Sequence, residues 1–112
     1  MTERSRSEIG KANRRAGREL ERAAQLQLER RGWFVLKVGS GQGGVVDLVA
    51  IGGELDHGMT LLVQCKSNGY VPPADRAALA ELALRHGIWV SVATWHKEGR
   101  AARTVAFKPL EA

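Results

Sequence analysis

Residues 39–67 read GSGQGGVVDLVAIGGELDHGMTLLVQCKS, and the job given to the glycines at the head of this stretch decides the fold. Gly39, Gly41 and Gly44 satisfy GxGxxG, the pattern of a loop that cradles a dinucleotide pyrophosphate. Such a loop must run from a strand into a helix, because the helix N-terminus meets the phosphates. Here the glycines are followed at once by VVDLVAI, residues 45–51, a β-branched run that reads as a strand. The dinucleotide reading fails on that context, and a P-loop fails because no Gly-Lys-Ser/Thr closes the run. What remains is a turn feeding a strand that carries one acid, Asp47, among valines.

Side chains alternate along a strand, so Asp47 is expected to share a face with Val45 and Val49 and to oppose Val46, Leu48 and Ala50. An acid in that setting needs a partner. The next strand, TLLVQCKS (60–67), carries Gln64 and Lys66 two apart on one face, with Leu61, Val63 and Cys65 on the other. If the two strands form an antiparallel hairpin with Ile51 opposite Thr60, Asp47 lies directly across from Gln64, with Cβ atoms roughly 5 Å apart. A hard cation then has an Asp oxygen, an amide oxygen and a neighbouring main-chain carbonyl within reach, with Lys66 one step along the same face. Taken singly, Gln64 and Lys66 read as the wet face of a strand; their joint placement opposite Asp47 points to a site.

Upstream of the glycines, residues 13–31 have helical periodicity: Ala16, Leu20, Ala23, Ala24, Gln27 and Leu28 make one stripe, while Arg15, Arg18, Arg22 and Glu29 face away. Gly32 reads as the stop after this helix, and WFVLKV (33–38) as a first strand. Residues 1–12 are polar and basic, and Gly10 weakens any early helix, so they are expected to form a flexible arm ahead of a single domain over 13–112. Downstream, Pro72 and Pro73 close a loop before a second helix over 74–87 with Ala78, Leu79, Leu82 and Ala83 inward, and IWVSVATW and RTVAFKPL supply two last strands. The expected order is α-βββ-α-ββ.

The 112-residue chain carries a net charge of +5, with nine of its 17 Lys and Arg in the first 31 residues against five acids there. That asymmetry favours a polyanionic partner, since each Lys or Arg laid on a phosphate releases counterions. No apolar run approaches the ~20 residues of a membrane span, and no apolar leader opens the chain, which predicts a cytoplasmic location. The lone Cys65 excludes an internal disulfide, and His57, His86 and His96 have no zinc spacing. Trp33, Trp89 and Trp95 are expected in core or dimer packing rather than base stacking.

An Asp followed by Gln-x-Lys on adjacent strands, behind a helix carrying Glu, resembles the PD-(D/E)xK nuclease superfamily, with Gln64 in place of the usual carboxylate. Within it, the chain is similar to archaeal-type (Hjc-like) Holliday junction resolvases in the order and spacing of Gly17, the dipeptide Glu21-Arg22, Gly32-Trp33, Lys37, Ser40, Asp47 with LVA, and Gln64 with Lys66. The likeness runs from about residue 16 to residue 95. It implies a restriction-endonuclease-like fold with a central mixed five-stranded sheet flanked by helices. It also implies a Mg²⁺-dependent endonuclease, with Mn²⁺ as the alternative, that cuts branched double-stranded DNA as a homodimer.

On that resemblance Asp47, Gln64 and the Cys65 carbonyl hold the metal, Glu21 reaches it through water, and Lys66 serves the attacking water. Arg22, Lys37 and Ser40 take DNA phosphates, joined by Arg15 and Arg18 from the same basic helix. Periodicity by itself does not choose between Glu19 and Glu21; only the resemblance selects Glu21. Three departures stand out: Gln64 for a carboxylate, Lys37 for an arginine, and Leu82 and His86 where such resolvases carry aromatic residues on the second helix. Another nuclease of QxK type that nicks duplex or branched ends, and a degenerate module that only binds DNA, are the competing readings.

Overall fold

Leu20, Ala24 and Leu28, spaced four apart, are all buried along one side of the first helix, and the rest of the fold is laid against that stripe. The computed structural model describes residues 6–38, 46–52, 58–96 and 103–110, with helical side chains from Gly17 onward. Its elements are α1 (Arg6–Arg30), β1 (Phe34–Lys37), β2 (Leu48–Ile51), β3 (Thr60–Cys65), α2 (Pro73–His86), β4 (Trp89–His96) and β5 (Thr104–Pro109). The order is α-βββ-α-ββ, as expected.

Helix α1 begins at Arg6, so its backbone takes in residues 6–12, where an arm was expected. The physical reason is cooperativity. Gly10 costs about 1 kcal/mol within a helix, but lengthening a helix already nucleated avoids the cost of a new nucleus. Residues 1–5 lie outside the described part. At the other end Gly32 has φ +91°, with its N–H on Glu29 O at 3.0 Å and the Trp33 N–H on Leu28 O at 3.0 Å. These are the two bonds of a Schellman stop, and Trp33 then packs on the cluster that holds Leu28.

The sheet order is β1-β2-β3-β4-β5, antiparallel throughout except for the parallel pair β3-β4. Parallel neighbours need a crossover, and α2 supplies it, opening at Pro73 and stopping at Gly87 with φ 63°. Alternate strand residues separate two clusters. Leu48, Ala50, Val63 and Ala93 pack with Ala24 and Leu28 of α1. Leu62, Val90 and Val92 pack with Leu79 of α2, whose Leu82 and Ala83 are partly buried there. The two helices therefore cover opposite faces of the sheet. Among the tryptophans, Trp89 lies outside the core of the chain, being exposed at the start of β4.

Candidate metal and nucleic-acid site

The hairpin register is the expected one over four pairs, from Ile51↔Thr60 to Leu48↔Val63. It breaks at the acid. The Asp47 N–H donates to Val63 O at 2.9 Å although Val63 is already the ladder partner of Leu48, so two successive residues of one strand meet one residue of the other. This is the pattern of a β-bulge. Its trace is visible in the packing: Val46 lies with Val49 in the α2-side cluster, not with Leu48 and Ala50 as unbroken alternation requires.

The expectation that Asp47 sits squarely across from Gln64 is corrected by that bulge. Asp47 instead straddles Gln64, with its main chain on Val63 and its Oδ2 accepting the Cys65 N–H at 2.7 Å. The carboxylate takes the place of a main-chain carbonyl where β2 and β3 part. Gln64 alternates with Val63 and Cys65, both packed on the α1 side, and its ladder partner Val92 belongs to the α2-side cluster. Its side chain is 2% exposed, and its Oε1 has no hydrogen-bond partner among the described residues. A buried amide oxygen in that state carries the full cost of desolvation.

Glu21 approaches from α1, one residue from the buried stripe and half-buried itself. Burial raises its carboxyl pKa, the Asp47 charge raises it further, and Lys37 opposes the shift. Asp47 is likewise raised, first by burial, against the hydrogen bond from Cys65 and the charge of Lys66. The Cys65 thiol is pushed up to about 12 by burial and by the charges of Asp47 and Glu21. These couplings gather Glu21, Lys37, Asp47, Cys65 and Lys66 into one electrostatic neighbourhood. Glu19 lies elsewhere: it is exposed and faces Arg103 at 3.7 Å, whose guanidinium also stacks over Trp95 at 4.4 Å.

Arg18 and Arg22 are exposed on α1, Arg22 next to Glu21. The side chain of Arg15, all of Ser40 and the glycine turn of residues 39–45 lie outside the description. Among the described residues, no three His, Cys, Asp or Glu side chains group closely enough to hold a metal ion by themselves. The donors on offer are of another kind: the fixed Asp47 carboxylate, a second carboxylate from α1, the Cys65 carbonyl and, directed to the α2 side of β3, the unsatisfied Gln64 amide oxygen. All are hard oxygen donors, and the orphaned Gln64 Oε1 is the group that a hard cation would satisfy.

Comparison with known proteins bears on the fold. The chain is similar to an archaeal Holliday junction resolvase. Its structure matches that of Archaeoglobus fulgidus Hjc, from an archaeal hyperthermophile, with a TM-score of 0.59 and 25% sequence identity over 85% of this chain and 73% of Hjc. No family profile matches the chain, and no curated protein does. The α/β architecture, with its mixed five-stranded sheet and two helices, is thus that of Hjc. No helix among the described residues is long and apolar enough to cross a membrane.

The bulge was missed by sequence reasoning. In VVDLVA, Val46 and Leu48 invite strict alternation, and only the hydrogen bond that Asp47 N–H donates to Val63 O of the partner strand reveals the extra residue.

Proposed function

We propose that the protein is a metal-dependent, structure-selective DNA endonuclease that resolves four-way junctions by paired phosphodiester cleavage as a homodimer. The observation that carries this reading is the Asp47 carboxylate, tied to Cys65 N at 2.7 Å in the neighbourhood of Glu21 and Lys66, on a fold similar to Hjc.

Asp47, the Gln64 amide oxygen and the Cys65 carbonyl would hold Mg²⁺ or Mn²⁺, with Glu21 joining through water. A divalent ion so held supplies Lewis-acid stabilisation of charge on a scissile phosphate. The chain's own residues do the rest. Cys65 N–H fixes Asp47, so the carboxylate needs no reorganisation when substrate arrives. Lys66, two residues past Gln64, orients the attacking water and offsets charge developing on the phosphate. Lys37 steadies Glu21 and, with Arg22, Arg18, Arg15 and Ser40, takes neighbouring phosphates, which position the duplex without reading its sequence.

Two symmetric cuts call for two sites related by a two-fold axis. The exposed Phe34, Leu36 and Ile51 support a second copy, because their side chains lie on the α2 side of the sheet at the β1 edge. One reading competes on a specific observation: Gln64 removes a negative charge from the site, which favours a module that binds DNA without cutting it.

Labelled four-way junction, linear duplex and flap DNA, incubated in Mg²⁺ or Mn²⁺, separate the readings. Paired cuts near the branch point support resolution, and equal cutting of every substrate supports a general QxK nuclease. A gel shift with no cleavage in either metal leaves the binding module.

A further inference from the structure

One strand spacing from Gln64, about 4.8 Å across the sheet, its ladder partner Val92 lines a pocket of about 380 Å³. Arg76 and Lys108 line the same pocket, both exposed, and none of its described lining residues is acidic. Its rim is built from the turn that leaves Lys66. Lys66 N–H donates to Ala93 O at 2.9 Å, Gly69 N–H to Lys66 O at 2.9 Å, and the Thr94 hydroxyl to Ser67 O at 3.1 Å. Gly69 has φ +74°, and a Cβ there would meet Thr94 Oγ1 at 3.5 Å, so the turn lies close against β4. The Asn68 side chain then accepts the Tyr70 N–H at 3.0 Å. Between the lining residues Gly69 and Val71, Tyr70 is held out at 61% exposure.

Two cations on one concave surface suit a phosphodiester, and an exposed tyrosine between two lining residues suits a base face. We propose that this pocket is a second nucleic-acid subsite, in which Arg76 and Lys108 hold a backbone phosphate and Tyr70 stacks on a base face left unstacked at the branch point. The assignment rests on the DNA-directed reading above and deepens it. An opened branch point exposes base faces that have lost their stacking neighbour, and the interior of a linear duplex does not, so Tyr70 contributes selectivity while the cations contribute affinity for both.

The test uses the intact protein in chelator, where binding is read without cleavage, on labelled four-way junction and linear duplex over a range of salt. Arg76→Gln/Lys108→Gln lowers the slope of log affinity against log salt by about 2 on both substrates, since each lost phosphate contact removes roughly 0.9. Tyr70→Ala weakens junction binding by roughly 5- to 100-fold with little effect on duplex, and Tyr70→Phe restores it. All three positions are exposed, so the variants keep the fold. Unchanged slopes and an unchanged junction preference overturn the subsite while wild-type cleavage leaves the nuclease reading standing. Displacement of the junction by inorganic phosphate or a mononucleotide as readily as by an oligonucleotide also overturns it, in favour of a small phosphorylated ligand. A wild-type protein that binds no DNA removes both readings, and one that binds through these residues but never cuts removes only the nuclease.

Discussion

Asp47 Oδ2 accepts the main-chain N–H of Cys65 at 2.7 Å, so one carboxylate oxygen finishes the β2-β3 ladder and the other is available to a ligand. The carboxylate is thereby tied to β3 at the end of β2, the rigid support that the proposed cation site calls for.

That double duty separates two substitutions. Asp47→Asn keeps an oxygen for Cys65 and removes the charge, so it should leave thermal stability near wild type while cutting junction cleavage by about 100-fold or more. Asp47→Ala also strands the Cys65 N–H, with an expected additional cost of about 1–3 kcal/mol in denaturant unfolding. Cleavage surviving in both variants rejects Asp47 as the centre of the site.

Gln64 offers a test that needs no turnover. Its Oε1 is buried and unpartnered among the described residues, so Gln64→Leu should raise stability in chelator, by up to about 1–3 kcal/mol, because the desolvated amide is gone. Gln64→Glu should lower stability in chelator and show a larger rise in melting temperature on adding Mg²⁺ than the wild type does. Identical metal responses in wild type, Gln64→Leu and Gln64→Glu would count against Gln64 as a ligand.

Proton linkage has a definite sign here. Glu21 and Asp47 both hold their protons more tightly folded than unfolded, burial being the main cause in each. The folded state then binds more protons between the ordinary carboxyl range and the raised values, so stability falls as pH rises through that window. Glu21→Gln should flatten this fall and raise stability at neutral pH, measured by urea unfolding from pH 4 to 8. Mg²⁺ should oppose the same fall by favouring the charged carboxylates. A wild-type stability that instead climbs through the window contradicts the burial of this pair.

The helix stop before β1 gives a prediction about the fold alone. Gly32 adopts φ +91° with open space where a Cβ would sit, so Gly32→Ala meets no clash and pays only the left-handed backbone penalty. The expected loss is about 1–2 kcal/mol, with cleavage per folded molecule unchanged. A neutral result means that the turn relaxes to another conformation.

Much of this protein was legible along the chain. The four-residue spacing of Leu20, Ala24 and Leu28, the stop at Gly32 and the element order follow from local periodicity and turn residues, while the register of 48–51 on 60–63 followed from supposing a hairpin with Ile51 opposite Thr60. Three things depended on the tertiary structure. Helix α1 reaches back to Arg6 because propagation outweighs one glycine, a balance that no window around Gly10 contains. Glu21 stands near Asp47 while Glu19 turns to Arg103, since both acids border the same apolar stripe and only docking on the sheet tells its edges apart. The bulge at Asp47 was decided by hydrogen bonds from the neighbouring strand, because an extra residue in a ladder is defined by what it faces, and a sequence lists residues without their partners.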